Sequence, residues 1–469
     1  MLRKGWYFPV SMASLVGFLL PACGQEIAVD QKAFVTGRSQ ALRAEPDPCS
    51  VIVTKDGSVR EPGKTIDSLK DRLQSGIDPV PLLERIGWFY VDQARTRNDP
   101  GLYSLANAAA GCIKEQQPDS AEAMLLEGHV LHSRHRFHDA EQLARRLAAE
   151  RGLWFDYALL GDALFDLGRI DDATDAYQKM MDLRPGPQAY LRAAQLRWIT
   201  GDPQGAIEMM QRAIRAGDAG HPESKAWAYA RLATFELHAR RTTDSARHIQ
   251  AALQLKPGYP PALLTRARLA LSRDDPAAAL ADLLRAREQS ALPEVRWLLA
   301  DVQSKLGNEA AADAIVARLT DPANREDPRT VSLFLATGPG DPDRALEIAR
   351  AELTVRQDVF TLDAMAWASL ASGDTAAARH YALQAVAEGT QDARLFLHAG
   401  IIAARAGVPA EADDWLERSM ALSHMLFPSE RDLLINDFAA VRSQSGPGGA
   451  KNSASREIQA PSGEQHEES

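Results

Sequence analysis

A small residue returns along this chain every 33 or 34 positions: Ala106, Ala140, Ala173, Ala206, Ser245, Ala279, Ala312, Ala345, Ala378 and Ala412. One step is longer, from Ala206 to Ser245, where AGDAGHPE extends a connection. Twelve residues before most of these stands a second small residue: Gly128, Gly161, Ala194, Ala233, Ala267, Ala300, Ala366 and Gly400. Paired small residues at a fixed beat mark repeated helical hairpins, whose two backbones approach closely only where side chains are small. Large apolar residues around each crossing then fill the space to the next hairpin. No single hairpin can bury its own apolar face, so the units must stack into a solenoid with a long, thin core. At 469 residues the chain is too long for one compact core, and stacking removes that difficulty.

The unit FDYALLGDALFDLGRIDDATDAYQKMMDLRP, residues 155–185, displays the pattern in full. Tyr157, Leu160, Gly161 and Leu164 form one stripe, Gly168 opens a turn, Ala173, Tyr177 and Met180 form a second stripe, and Pro185 stops it. This unit resembles a tetratricopeptide repeat, and the resemblance extends from about residue 80 to 430. It implies an all-α fold, a right-handed solenoid of about ten such hairpins. Two units depart from the rule. Leu333 stands where a small residue is expected, which predicts a shortened first helix. In LLERIGWFY, Gly87 lies 19 residues before Ala106, which predicts an elongated one. The solenoid with a capping helix, PSERDLLINDFAAVRSQ, is assigned to 66–442.

The segments outside the array read differently. Residues 1–22 carry a basic start, Arg3 and Lys4, then a short apolar run, as an export signal does. Leu20-Pro21-Ala22-Cys23 resembles a bacterial lipobox, which implies that Cys23 is lipidated, the alternative being ordinary secretory cleavage near Ala22 and a secreted or periplasmic protein. Gly24, in place of Asp, then implies an outer-membrane lipoprotein facing the periplasm. The other two cysteines, Cys49 and Cys112, would enter an oxidising compartment, where they can pair or stay as buried thiols. The extension 23–65 holds β-branched residues around Asp56-Gly57, the pattern of a small hairpin. TIDSLKDRLQSG then reads as a helix. The tail 443–469 is rich in Ser, Gly, Pro and charge and is expected to be disordered.

Motifs for chemistry are scarce. GSVREPGKT has five residues between its glycines where a phosphate-binding loop needs four. Acidic pairs such as Asp171-Asp172 begin second helices, where negative charge suits the helix N-terminus. No catalytic residue, cofactor or metal is assigned. The formal charge of −10 argues against nucleic acid, which calls for a basic surface.

Four histidines, His129, His132, His135 and His138, fall at three-residue spacing in GHVLHSRHRFHDAE. Such spacing could place two imidazoles on one ion, so a metal-binding module at His129 and His132 stays open, as does an enzyme with an unrecognised site. The favoured reading places both on the stripe that lines the concave surface in this type of solenoid. That stripe continues through Asp162, Phe165, Trp198, Trp227, Arg268, Trp297, Asp301 and Trp367, and so takes four of the eight tryptophans. Tryptophan is enriched at binding hot spots, and the stripe is expected to be a groove for a protein or peptide partner.

Overall fold

The computed structural model describes residues 47–53, 64–74, 78–97, 99–217, 222–323, 326–338 and 340–445. Among them every long element is an α-helix. Two short helices come first, α1 (Pro48–Val53) and α2 (Lys64–Gln74). Ten hairpins follow: α3 (Pro79–Arg97) with α4 (Leu102–Gln116), α5 (Ala121–Ser133) with α6 (Phe137–Glu150), α7 (Trp154–Asp166) with α8 (Ile170–Leu183), α9 (Pro187–Ile199) with α10 (Pro203–Ala216), and α11 (Pro222–His238) with α12 (Thr242–Leu255). The second five are α13 (Pro260–Leu271) with α14 (Pro276–Gln289), α15 (Pro293–Lys305) with α16 (Glu309–Leu319), α17 (Pro328–Thr337) with α18 (Pro342–Leu353), α19 (Val359–Ala371) with α20 (Thr375–Ala385), and α21 (Ala393–Arg405) with α22 (Pro409–Ala421). The cap is α23 (Pro428–Ser445), preceded by a short 3-10 turn at Ser423–Met425. The fold is the all-α repeat solenoid that the sequence implied.

Local chemistry explains where the helices start. Many open with Pro, whose fixed φ and missing N–H suit the first helical position. Asp202, Asp275, Asp341 and Asp374 cap four second helices by accepting a backbone N–H three residues on. At the crossing of α7 and α8, a Cβ added to Gly161 would lie 2.4 Å from the Tyr177 ring, so nothing larger fits there. As predicted, α3 is the long first helix, 19 residues, and α17 the short one, 10 residues. In α17 the small residue has moved by one position. Ser332, not Leu333, packs at the crossing, fully buried, and its Oγ donates to the Ala345 carbonyl at 2.8 Å.

The proposed β-hairpin in the extension is corrected in part. Pro48–Val53 is helical and buries Ile52, while Asp56 and Gly57 lie outside the described residues. Cys49 in α1 is bonded through sulfur to Cys112 in α4, with their Cα atoms 4.8 Å apart. The helix expected near Thr65 begins at Lys64, and the cap runs to Ser445, past the expected boundary at 442. The export segment 1–22, Cys23 and the tail beyond Ser445 lie outside the described residues.

Contacts between distant hairpins set the shape. The α7–α8 turn meets the connection ahead of α19, where Gln357 N donates to Asp166 O at 3.2 Å. The α9–α10 turn meets the connection ahead of α21, where Thr390 Oγ1 donates to Ile199 O at 2.6 Å. The α11–α12 turn meets the connection ahead of α23, through Arg240 to Ala421 O at 2.7 Å and His424 to Leu237 O at 2.9 Å. In each case the chain has advanced six hairpins, so the superhelix returns onto itself after six units. Gly168 and Gly201 serve this closure twice over. Both have positive φ, 73° and 78°, and a Cβ on either would meet the carbonyl oxygen of Gln357 or Gly389 within 2.5 Å.

Candidate binding cleft

The stripe expected to face solvent is instead the seam between consecutive first helices. Trp198, Trp297 and Trp367 are 4 %, 1 % and 5 % exposed, and His129, His132, Asp162 and Phe165 are also buried. The pairing follows a rule. The residue just after the small position of one first helix meets the residue two before the small position of the next. Asp162 accepts from Arg192 at 2.7 and 2.6 Å, Gln195 from Arg231 at 2.8 Å, Thr234 and Thr265 share a hydrogen bond at 2.9 Å, and Trp367 stacks on His398 at 4.0 Å. One turn further along, His132 pairs with Asp166 at 3.0 Å, and Trp198 stacks on Phe235 at 4.6 Å. Tight winding turns these positions sideways onto a neighbouring helix, away from the superhelix axis.

The histidines are thereby separated. His129 lies edge-on to Trp88 at 5.0 Å, and burial holds its imidazole down at about 3, so it is neutral. The facing position on α7 is Leu159, which offers no polar partner, and both His129 nitrogens lack one among the described residues. Burial opposes charge on His132 as well, but the hydrogen bond and charge of Asp166 outweigh it and raise that group above the usual histidine range. His135 takes the left-handed turn position, φ 58°, that glycine occupies in neighbouring units, and Arg356 donates to its Nδ1 at 3.0 Å. His138 is exposed at the start of α6. Among the described residues these rings do not converge with a third donor. The one group of three candidate ligand residues there is Cys49, Cys112 and Glu115, in which the two sulfurs are bonded to each other. The metal-module reading of His129 and His132 is therefore set aside on donor geometry.

The seam opens between α11 and α13. Trp227, Ala230, Arg231 and Thr234 from α11, Pro261, Leu264, Thr265 and Arg268 from α13, and Glu294 from α15 line a narrow, shallow cleft. Of the predicted groove residues, Trp227 and Arg268 line this cleft. Trp227 is half-buried. Arg268 forms an ion pair with Glu294, though its buried Nε has no partner among the described residues.

Arg231 is the notable side chain of the cleft, and sequence reading passed over it. It is 8 % exposed, lies over the Phe235 ring at 4.6 Å and donates to Gln195 Oε1. Among the described residues no carboxylate forms an ion pair with it, and burial lowers its guanidinium well below the ordinary value, with Glu294 acting against that and Arg268 with it. It still carries charge at neutral pH. The signal that could have found it was the recurrence of arginine two before the small residue, at Arg192 and Arg231. Arg192 has an acid on the preceding helix, whereas Arg231 faces an amide.

Trp297 and Asp301 contact the cap instead. Trp297 Nε1 donates to Ser429 Oγ at 3.3 Å, and Asp301 accepts from Ser429 N at 3.0 Å and from its Oγ at 2.6 Å. Burial pushes the Asp301 carboxyl up to about 6, against the lowering effect of Ser429.

No curated protein matches the chain. Solved structures to which it is similar include yeast Tom70, at 15% identity and a TM-score of 0.37, covering 83% of this chain and 98% of that one. Another is the human IFIT1 dimer with PPP-AAAA, at 12% identity and a TM-score of 0.43, covering 76% and 89% respectively. A third is the APC/C hetero-tetramer Cut9–Hcn1, at 14% identity and a TM-score of 0.34, covering 79% and 92%. The tetratricopeptide-repeat family model matches residues 158–222 and 191–260. Those matches show tetratricopeptide repeats within residues 158–260, and the same helical hairpin continues in register on both sides of them, in a fold whose repeats serve as scaffolds for protein–protein interaction.

Proposed function

We propose that the chain is an exported, lipid-anchored scaffold that takes a protein partner in the cleft between α11, α13 and α15. Arg231 carries this reading. A desolvated guanidinium with no carboxylate in contact is costly, and a partner's acidic side chain entering beside Trp227 would compensate it. The ring of Trp227 supplies contact area next to that charge, as hot-spot tryptophans do. Most of the aromatic stripe first considered cannot serve as it stands, because His129, His132, Asp162, Phe165, Trp198, Trp297 and Trp367 are buried in the seam. The net charge of −10 weighs against nucleic acid as the partner.

The test uses the full chain and its Trp227→Ala and Arg231→Gln variants, crosslinked in envelopes and captured in parallel. Trp227→Ala is expected to weaken the partner interaction by about 2 kcal/mol, roughly 30-fold, with little change in melting temperature, since the ring is half-buried. Equal recovery of one partner set by all three chains would remove the cleft from consideration.

The bonded pair Cys49–Cys112 supports export, because such bonds persist in oxidising compartments. The lipid anchor rests on Cys23 alone, in its lipobox-like setting. Cys23→Ser should shift the protein from the detergent phase to the aqueous phase in a partitioning assay. Unchanged partitioning would leave the anchor without support.

A further inference from the structure

The connection between α22 and α23 is unusually well buried for a connection. Met425, Leu426 and Phe427 are all under 7 % exposed. The Phe427 ring stands edge-on to Trp297 at 5.2 Å, and the guanidinium carbons of Arg268 and Arg394 each lie 5.1 Å from its centroid. Ser429 binds Trp297 and Asp301 as described, and Glu430 pairs with Arg394. Arg268 thus has two neighbours. On one side it lines the cleft, and on the other it lies under Phe427. The segment Phe427–Glu430 therefore covers the inner face of α15 where the cleft would otherwise continue.

The seam rule explains why this face is available to it. The position on the following first helix that should meet Arg268 is Leu298, which is apolar, and the one that should meet Asp301, counted from Ser332, is Thr330, whose hydroxyl donates to Asp327 instead. Neither polar group finds its partner in the seam, so Arg268 turns to Glu294, and Asp301 turns to Ser429. The seat also carries a built-in opposition. Glu430 and Asp432 arrive with the segment and add negative charge near Asp301, offset on that side by Arg394.

We propose that Phe427–Glu430 is a reversible latch, an internal ligand for the inner face of α13 and α15 whose release extends the cleft from Arg268 to Trp297 and Asp301. This rests on the cleft being the binding site. A partner long enough to run past Arg268 replaces the latch by supplying the same chemistry: an aromatic ring against Trp297 and the two arginines, then an N–H or O–H donor for Asp301.

Hydrogen exchange on the full chain tests the latch without any partner. In the wild type, α23 amides should exchange through an opening that leaves α21 and α22 protected. Ser429→Ala removes one donor to a carboxylate without leaving a large cavity. It should speed α23 exchange about tenfold or more while α21 and α22 keep their rates. Phe427→Ala should do the same and also deprotect the inner face of α15. A synthetic peptide of residues 423–432 should restore α15 protection in the Phe427→Ala chain, whereas the same peptide with alanine for phenylalanine should not. Exchange of α23 in step with α21 and α22, in the wild type and in Ser429→Ala alike, would make the segment a fixed part of the core and overturn the proposal. So would failure of the peptide to protect α15 in a folded Phe427→Ala chain. Neither readout involves Trp227 or Arg231, so the cleft reading and the latch can fail separately.

Discussion

Trp297→Ala is expected to lower stability by about 3–5 kcal/mol, the cost of emptying a buried aromatic site. The ring is 1 % exposed, edge-on to Phe334 at 5.4 Å and to Phe427 at 5.2 Å, and Arg394 lies 5.1 Å from its centroid. Its truncation removes packing between α15 and α17 and the anchor of the cap in one step. Denaturant unfolding should show the loss directly. Because a solenoid couples mainly through nearest neighbours, hydrogen exchange should register it first in α15, α17 and α23. Trp227→Ala is the internal control, since that ring is half-buried on the cleft wall. A Trp297→Ala chain with wild-type stability would return Trp297 to the list of solvent-facing contacts.

Arg192→Met should cost a similar amount, about 3–5 kcal/mol at neutral pH, for an electrostatic reason. Asp162 accepts both forks of Arg192, and Tyr177 Oη donates to it at 3.0 Å, all in the buried seam between α7 and α9. Methionine keeps much of the volume but leaves the carboxylate without its cation. The sign of the pH effect follows. Without Arg192, the folded-state affinity of Asp162 for a proton rises above its unfolded value, so the folded chain binds more protons, and stability falls as pH rises. The deficit should therefore be largest near pH 7 and shrink on acidification toward pH 4. Adding Asp162→Asn to Arg192→Met should recover part of the loss, because no uncompensated charge is then buried. A double variant less stable than Arg192→Met alone would show that Asp162 contributes through something other than its pairing.

Much of the array is legible from residue types alone. Small residues at hairpin crossings, Pro at helix starts and Asp at caps each act within a turn or two of helix, so a linear pattern carries them. The long α3, the short α17 and the helix beginning at Lys64 follow from such local rules. The displaced small residue at Ser332 was missed because a one-residue shift is visible only in the packing against Ala345. The helical Pro48–Val53 was missed because its β-branched residues favour strand, whereas burial of Ile52 and the bond from Cys49 to α4 hold it as a helix.

The hairpins, their register and their stacking were thus determined by the sequence itself, through periodicities internal to each unit. Which face of the stack stays open was decided only by the tertiary structure. A stripe drawn on one helix says that His129, Asp162, Trp198, Trp297 and Trp367 share a side, but not what lies beside it. The rotation from one hairpin to the next is set by side chains packing between units, and it accumulates over six of them until turns such as Gly168 touch the connection at Gln357. That accumulated rotation brings Arg192 onto Asp162 and His398 onto Trp367, closing most of the stripe. It leaves open the stretch at Arg231, where the seam partner is the amide of Gln195.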